Sequence, residues 1–270
     1  MDGHKLQLQV QFIVNFISVI LMITHFVLDL DGCLTFPFQP PHWQAITAIR
    51  ALQQRSEAEE HVPALSLCTG RPLPYAEAVA QWLGIRHTII FESGGGFYHP
   101  LENRLGWSPN YTDELAAQSA LIREWFMREI EPDYPGVVVE FAKRTDVGVV
   151  HNNKNDISRI YEQAQRKIES DFPDFEVHQT GISVNIIAAA CNKATGLEHF
   201  CELEQTQPSQ LGYIGDSSGD LKALRLAGIG FAPANAIDEV KSVARVMQGE
   251  ATLGVLQAYE QLVVSNASTG

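Results

Sequence analysis

Two pairs of aspartates each follow a short apolar run. Asp29 and Asp31 come after residues 24–28, and Asp216 and Asp220 come after residues 211–215. Four carboxylates that meet at one place repel each other strongly unless a cation lies among them. Mg²⁺ fits best, because it takes oxygen ligands, keeps several waters and bridges to phosphate. An aspartate beside such an ion can also attack phosphorus and form an aspartyl phosphate.

Three further positions offer groups that stabilise a phosphoryl group during its transfer. The Thr69 hydroxyl, the Gly70 backbone amide and the Lys193 ammonium suit the charge that builds up on its three equatorial oxygens. Arg71, the next residue in the same turn, is a further candidate for substrate binding. We therefore expect catalytic roles for Thr69 and Lys193 and substrate contacts from all four residues.

Each motif alone also has a simpler interpretation. Thr-Gly-Arg is typical of a turn from strand to helix, Gly-Asp-x-x-x-Asp of a turn with a helix cap, and a lone lysine usually lies in solvent. Asp-x-Asp-Gly also begins a calcium loop, but that loop needs a glutamate at its twelfth position, where Pro40 stands. The order of the motifs and their placement at strand ends favour the phosphoryl-transfer interpretation.

Alternating elements position these residues. Apolar runs predict strands over residues 24–30, 63–68 and 87–91, with helices over 42–56 and 72–83 between them. After residue 192 the pattern resumes with a helix, strands over 211–215 and 228–232, and two more helices. Such alternation predicts an α/β fold with a parallel sheet, in which ligands gather at the carboxyl ends of the strands.

The middle of the chain has a different pattern, which predicts an inserted domain. Helices are expected over residues 112–130 and 156–169, and strands over 137–142, 146–151, 175–179 and 182–188. We expect a catalytic core in residues 22–95 and 189–270 and an α/β cap in residues 96–188. Residues 1–21 are interpreted as a non-catalytic extension or a misassigned start, with a membrane anchor a distant second.

Composition narrows the class of partner. The 270 residues carry a formal charge of −13, so nucleic acids and anionic membrane surfaces are poor partners, and a small phosphorylated metabolite needs local cations or a metal. The four cysteines show neither a zinc-site spacing nor a disulfide framework. Reduced thiols and a cytoplasmic location are the plain expectation.

In combination these motifs resemble the haloacid dehalogenase superfamily, whose four motifs occur here in order between residues 22 and 264. The resemblance implies that Asp29 is the nucleophile and that Asp31 protonates the leaving oxygen and then activates water. It also implies a Mg²⁺ ion held by Asp29, the backbone carbonyl of Asp31 and Asp216, with Asp220 in support. The implied fold is a Rossmann-like parallel sheet with an inserted cap of the C2B type.

The place of the cap resembles the type IIB branch, which includes Cof-like sugar phosphatases and sucrose-phosphate, mannosyl-3-phosphoglycerate and phosphoglycolate phosphatases. Residues 91–98 and 232–236 resemble two loops of that branch. Ser93 and Gly219 depart from its pattern, since each replaces the usual asparagine. Lys143, Arg144 and His178 lie near predicted cap strand ends, but such residues are more often solvated, so we leave them out of the predicted site.

The resemblance implies hydrolysis of a small phosphomonoester, either a sugar phosphate or a phosphorylated organic acid. A phosphomutase is an alternative, because the same aspartyl phosphate can serve intramolecular transfer. A third possibility is a non-catalytic binding protein that retains the fold.

Overall fold

The computed structural model describes residues 22–268, so the expected extension over residues 1–21 lies outside the described residues. The strands, in chain order, are β1 His25–Leu28, β2 Ala64–Leu67, β3 Ile89–Phe91, β4 Gly96–His99, β5 Arg104–Trp107, β6 Val138–Val139, β7 Asp146–Val150, β8 Phe175–Gln179, β9 Ser183–Ala188, β10 Leu211–Ile214, β11 Ile229–Ala232 and β12 Arg245–Val246. The helices are α1 Trp43–Arg55, α2 Leu73–Leu83, α3 Asp113–Trp125, α4 Lys154–Asp171, α5 Lys193–Leu203, α6 Leu221–Leu226, α7 Asp238–Lys241 and α8 Ala251–Ala267.

A five-stranded parallel sheet has the order β12-β11-β10-β1-β2. Its interior strand β1 is buried on both faces, because Phe26 and Leu28 pack into one apolar cluster while Val27 packs into another. This double burial explains why the strand reads as an unbroken apolar run. The α/β fold with a parallel sheet that the alternation predicted is confirmed.

Because the strands of this sheet run parallel, their carboxyl ends share one edge. Asp29 follows β1 directly, Thr69 follows β2 after one residue, and Asp216 follows β10 after one residue. Lys193 reaches the same edge as the first residue of α5. The topology therefore gathers side chains that are up to 187 positions apart in the sequence.

The expected strand over residues 87–91 does not extend the parallel sheet. Strand β3 touches it through a single bridge between Cys68 and Ile90, and otherwise pairs antiparallel with β4, which pairs with β5. The reason is a tight reversal: Glu92, Ser93 and Gly94 have φ values of 47°, 58° and 104°. The chain therefore turns back on itself directly after β3 and pairs with it as β4.

A second unit contains a four-stranded antiparallel sheet in the order β6-β7-β9-β8. Helices α3 and α4 pack on it through an apolar cluster of their own. Helix α3 begins after Thr112, whose side chain accepts a hydrogen bond from the Leu115 amide, and continues as a π-helical turn over Phe126–Ile130. The expected strand over 137–142 shrinks to Val138–Val139. The division into a core and a cap at residues 96 and 188 stays a proposal.

A buried glutamate joins the two units. The Glu92 Oε2 atom accepts hydrogen bonds from the Arg144 amide at 2.9 Å, the Thr145 amide at 2.6 Å and the Thr145 hydroxyl at 2.8 Å. Three donors on one buried carboxylate oxygen fix the loop before β7 against the turn after β3. In the described part of the chain, no helix is long and apolar enough to cross a membrane.

Candidate active site

The Lys193 ammonium lies between two aspartates. Its Nζ atom is 2.8 Å from Asp29 Oδ1 and 2.7 Å from Asp220 Oδ1. All three residues are at least nine-tenths buried. Helix α5 places the lysine, because the Asn192 side chain caps the helix by accepting hydrogen bonds from the amides of Ala194 and Thr195. A buried cation so placed holds Asp29 in a fixed orientation.

Asp220 is saturated with hydrogen-bond donors. Besides Lys193, the Tyr213 hydroxyl donates to its Oδ1 at 2.6 Å. Its Oδ2 accepts from the Asp216 amide, the Ser217 amide and the Ser217 hydroxyl at 3.0–3.2 Å. Although burial opposes ionisation, Lys193 and these donors lower the pKa of Asp220. Five donors occupy the roughly four lone-pair sites of a carboxylate, so Asp220 has no lone pair left for a metal and can support the site only through the groups that it holds.

Asp216 is in the opposite situation. Its Oδ1 atom is buried and has no hydrogen-bond partner within the described range 22–268. Burial, together with the charges of Asp29 and Asp220, raises the pKa of Asp216 to about 8. Burial also raises the pKa of Asp29 to about 7, although Lys193 opposes this shift. An unpartnered buried carboxylate oxygen is costly, and a cation is a fitting partner for it.

The donor set beside Asp216 fits a hard divalent cation. Oxygens of Asp29 and Asp216 and the Cys33 sulfur lie within 4.8 Å of one another. Burial raises the pKa of the Cys33 thiol, so this sulfur stays protonated. A neutral thiol is a poor ligand for Mg²⁺, which prefers oxygen. The residues that fit the ion are therefore the two aspartates.

The loop after β1 leaves room for this cluster. Gly32 has a φ of +82°, and a side chain at this position would collide with the Asp216 carboxylate. The Asn235 side chain donates to the Gly32 carbonyl at 2.8 Å and accepts from the Ala251 amide at 2.8 Å. Asn235 thereby fixes the loop that carries Asp31 against the chain that begins α8.

Arg71 contacts Asp31 with two parallel hydrogen bonds. Its Nε donates to Asp31 Oδ2 at 2.5 Å and its second guanidinium nitrogen donates to Oδ1 at 2.9 Å. The guanidinium also lies over the Tyr75 ring, 5.0 Å from its centre. The Thr69 hydroxyl accepts from the Arg71 amide at 3.1 Å, so the turn after β2 is fixed as well. Arg71 therefore restrains the Asp31 carboxylate in this structure.

A cavity of about 710 Å³ lies between the carboxyl edge of the parallel sheet and the four-stranded unit. Every predicted site residue except Asp220 lines it. Lys143 and His178 line it from the other side, whereas Arg144 packs on the Trp107 ring, 4.7 Å from its centre. Lys143 is neutralised by Glu140 at 2.7 Å and Asp146 at 3.2 Å.

Comparison with known proteins agrees with this arrangement. The sequence model of haloacid dehalogenase-like hydrolases matches residues 139–258. The phosphoglycolate phosphatase of Methanopyrus kandleri is 29% identical over 225 residues, which cover 82% of this chain and 88% of that protein. The chain is therefore similar to the haloacid dehalogenase-like hydrolases, as its motifs predicted. The family and the phosphatase names of its relatives support a phosphatase enzyme.

Several solved structures share the fold of this chain. A protein from Thermoplasma acidophilum superposes with a TM-score of 0.67 at 20% identity, covering 89% of this chain and 98% of the other. The sucrose-phosphatase of Synechocystis sp. PCC6803, solved with sucrose and phosphate, gives a TM-score of 0.62 at 17% identity, with coverages of 90% and 98%. At these identities the likeness concerns the fold alone.

Three residues of this hydrolase contribute to the site without having been predicted. Tyr213 donates to Asp220 from inside β10, Asn235 fixes the Gly32 loop, and Glu92 fixes the two units together. Asn235 and Glu92 lie in the two loops whose sequences resemble the type IIB branch, so that resemblance was a usable signal. Tyr213 lies in a buried strand and carries no such signal.

Proposed function

We propose that this hydrolase is a Mg²⁺-dependent phosphatase that acts on a small phosphomonoester through an aspartyl phosphate on Asp29. The observation that carries the proposal is the buried contact of Asp29 with Lys193, at 2.8 Å, beside the unpartnered oxygen of Asp216. A carboxylate held by one cation and close to the place for another can approach a phosphate dianion, whose charge otherwise repels it. The names of the phosphatase relatives support the same reaction class.

Asp29, the backbone carbonyl of Asp31 and Asp216 would hold the Mg²⁺ ion. When bound, Mg²⁺ neutralises carboxylate charge and polarises the phosphoryl group. Asp220 supports the site indirectly, because it holds Lys193 through Oδ1 and the loop of Asp216 through Oδ2. Thr69, Gly70 and Lys193 then surround the transferred phosphoryl group with a hydroxyl, an amide and an ammonium.

Asp31 carries the proton transfers in this proposal. Asp29 attacks phosphorus, the bond to the leaving oxygen breaks, and Asp31, which takes up a proton from solvent once Arg71 has released it, gives that proton to the leaving oxygen. The resulting Asp31 carboxylate takes a proton from water, which hydrolyses the phosphoaspartate and releases inorganic phosphate. Arg71 engages both Asp31 oxygens in the absence of substrate. A substrate anion competes for the Arg71 guanidinium and so frees Asp31 to face the leaving group.

The cavity suits a small anionic leaving group. Lys154 lines it from the start of α4, and its aliphatic chain lies near Gly181. Relatives named phosphoglycolate phosphatases make a phosphorylated organic acid such as 2-phosphoglycolate the first substrate to test, with sugar phosphates second. A cytoplasmic location completes the proposal, and the four free, buried cysteines are consistent with it.

A phosphate-release screen tests the proposal. The protein is incubated with Mg²⁺ and a panel of organic-acid and sugar phosphates, beside Asp29→Asn and the surface control Asp174→Asn. We expect release to disappear in Asp29→Asn and to persist in Asp174→Asn. A sugar phosphate that is isomerised without release of phosphate would indicate a phosphomutase, and equal behaviour of Asp29→Asn and the parent would indicate a binding protein.

A further inference from the structure

A second group of potential metal ligands lies at the opposite end of the parallel sheet. His25 begins β1, His87 precedes β3, and Glu204 caps the C-terminus of α5. One ligand atom from each of them lies within 4.8 Å of the others. Because His25 and Asp29 are four residues apart on an extended strand, this group is about 13 Å from the catalytic carboxylate.

His25 has a polar atom that the fold leaves unused. The residue is 8% exposed, and its Nε2 atom is buried with no hydrogen-bond partner in the part of the chain that the structure describes. Its Nδ1 lies 3.0 Å from the Thr24 hydroxyl, which can itself donate to the Gln210 carbonyl at 3.5 Å. The ring then donates from Nδ1 and keeps a lone pair on Nε2, which is the tautomer that a metal requires.

His87 and Glu204 contact each other beside His25. His87 Nδ1 is 2.8 Å from Glu204 Oε2, and the other carboxylate oxygen accepts from the Thr88 amide at 2.9 Å. A carboxylate at the C-terminus of a helix is repelled by the negative end of the helix dipole. A cation beside it therefore stabilises both the carboxylate and the helix end. The His87 side chain is partly exposed, which gives an ion a path from solvent.

We propose that His25, His87 and Glu204 bind a divalent transition-metal ion, with Zn²⁺ as the first choice. Two imidazoles and one carboxylate match the ligands that Zn²⁺ takes, with a water in the fourth position. Such a site discriminates against Mg²⁺, because this ion prefers oxygen ligands. Helix α5 connects the two sites, since it begins at Lys193 and the Glu204 ligand follows its last residue, about 16 Å away.

Zn²⁺ titration of untagged, full-length protein tests this site. Asp216→Asn serves as the background, because it removes the other group that could take the ion, and calorimetry gives the stoichiometry. We expect one equivalent of Zn²⁺ to bind. His87→Ala and Glu204→Gln in this background should each weaken binding by at least about tenfold. Co²⁺ should give the visible absorption of a four-coordinate site, and that band should disappear in both variants.

A matched control comes from the same helix. His199 Nδ1 contacts Glu202 Oε2 at 2.8 Å, which is the same pair at the same distance without a third ligand. His199→Ala should therefore leave Zn²⁺ affinity and stoichiometry unchanged. Circular dichroism verifies that the variants are folded. The proposal is wrong if the Asp216→Asn protein binds no Zn²⁺, or if His87→Ala and Glu204→Gln bind it as tightly as their background.

Discussion

Mg²⁺ binding should release protons from the active site. In the metal-free protein, burial raises the pKa of Asp29 to about 7 and of Asp216 to about 8. Below pH 7 these carboxyls are therefore mostly protonated, and Mg²⁺ must displace the protons to reach the oxygens. If one proton leaves, the dissociation constant falls about tenfold for each pH unit between pH 5 and 7. If both leave, the fall is about a hundredfold.

The raised pKa values of Asp29 and Asp216 also determine whether the folded state gains or loses stability as the pH rises. Both folded pKa values lie above the unfolded value of 3.8, so protonation favours the folded state. This contribution is complete below about pH 4 and is lost as the pH rises through 7 to 8. For Asp29 alone it is on the order of 4 kcal/mol. Metal-free protein should thus lose stability towards pH 8, and Mg²⁺ should restore it there with little effect at pH 5.

Calorimetry in two buffers of different ionisation enthalpy counts the released protons directly, and thermal unfolding follows the stability. Asp216→Asn should abolish the proton-linked binding. Asp146→Asn is the matched control, because burial raises the pKa of Asp146 to about 7 as well, beside Lys143 and away from the proposed ion. A Mg²⁺ affinity that stays flat between pH 5 and 7, or equal losses in Asp146→Asn and Asp216→Asn, would refute the reasoning.

Three substitutions test the supporting contacts. Lys193→Met leaves two buried carboxylates without their cation. Urea unfolding of the metal-free protein should show that the free energy of unfolding falls by about 3–5 kcal/mol at pH 8, and by less at pH 5, where protonation neutralises Asp29. An equal loss at both pH values would contradict this. Arg71→Lys keeps the charge but cannot make two parallel hydrogen bonds, so kcat should fall about tenfold or more in steady-state assays while unfolding stays near that of the parent. Glu92→Gln exchanges an anionic acceptor for a neutral one at three donors, so the free energy of unfolding measured in urea should fall by about 1–3 kcal/mol. Unchanged stability would mean that Glu92 does not hold the two units together.

Sequence patterns predicted the catalytic edge well because strand ends carry a local signal. An apolar run that ends in Asp29 or precedes Asp216 is visible in the chain, and parallel pairing then brings such ends together. The reversal after β3 was missed, because it depends on positive φ values at Glu92 and Ser93, which a sequence only hints at through the following glycines. Tyr213 and His25 were missed because a polar atom inside an apolar strand has a role only through its partners.

The different roles of Asp216 and Asp220 also could not be predicted from the sequence. Both are aspartates of a single motif, and the resemblance implied a metal contact for Asp216 and a supporting role for Asp220. In the structure the backbone turn at Ser217 aims two amides and a hydroxyl at one oxygen, Asp220 Oδ2, so that Asp220 is saturated, while the Asp216 Oδ1 atom has no hydrogen-bond partner among residues 22–268. Burial and the charges of Asp29 and Asp220 raise the pKa of Asp216, whereas Lys193 and the hydrogen-bond donors lower the pKa of Asp220 despite its burial. Asp216 is thus left for the proposed cation, whereas Asp220 holds Lys193. Only the three-dimensional count of donors distinguishes the two aspartates.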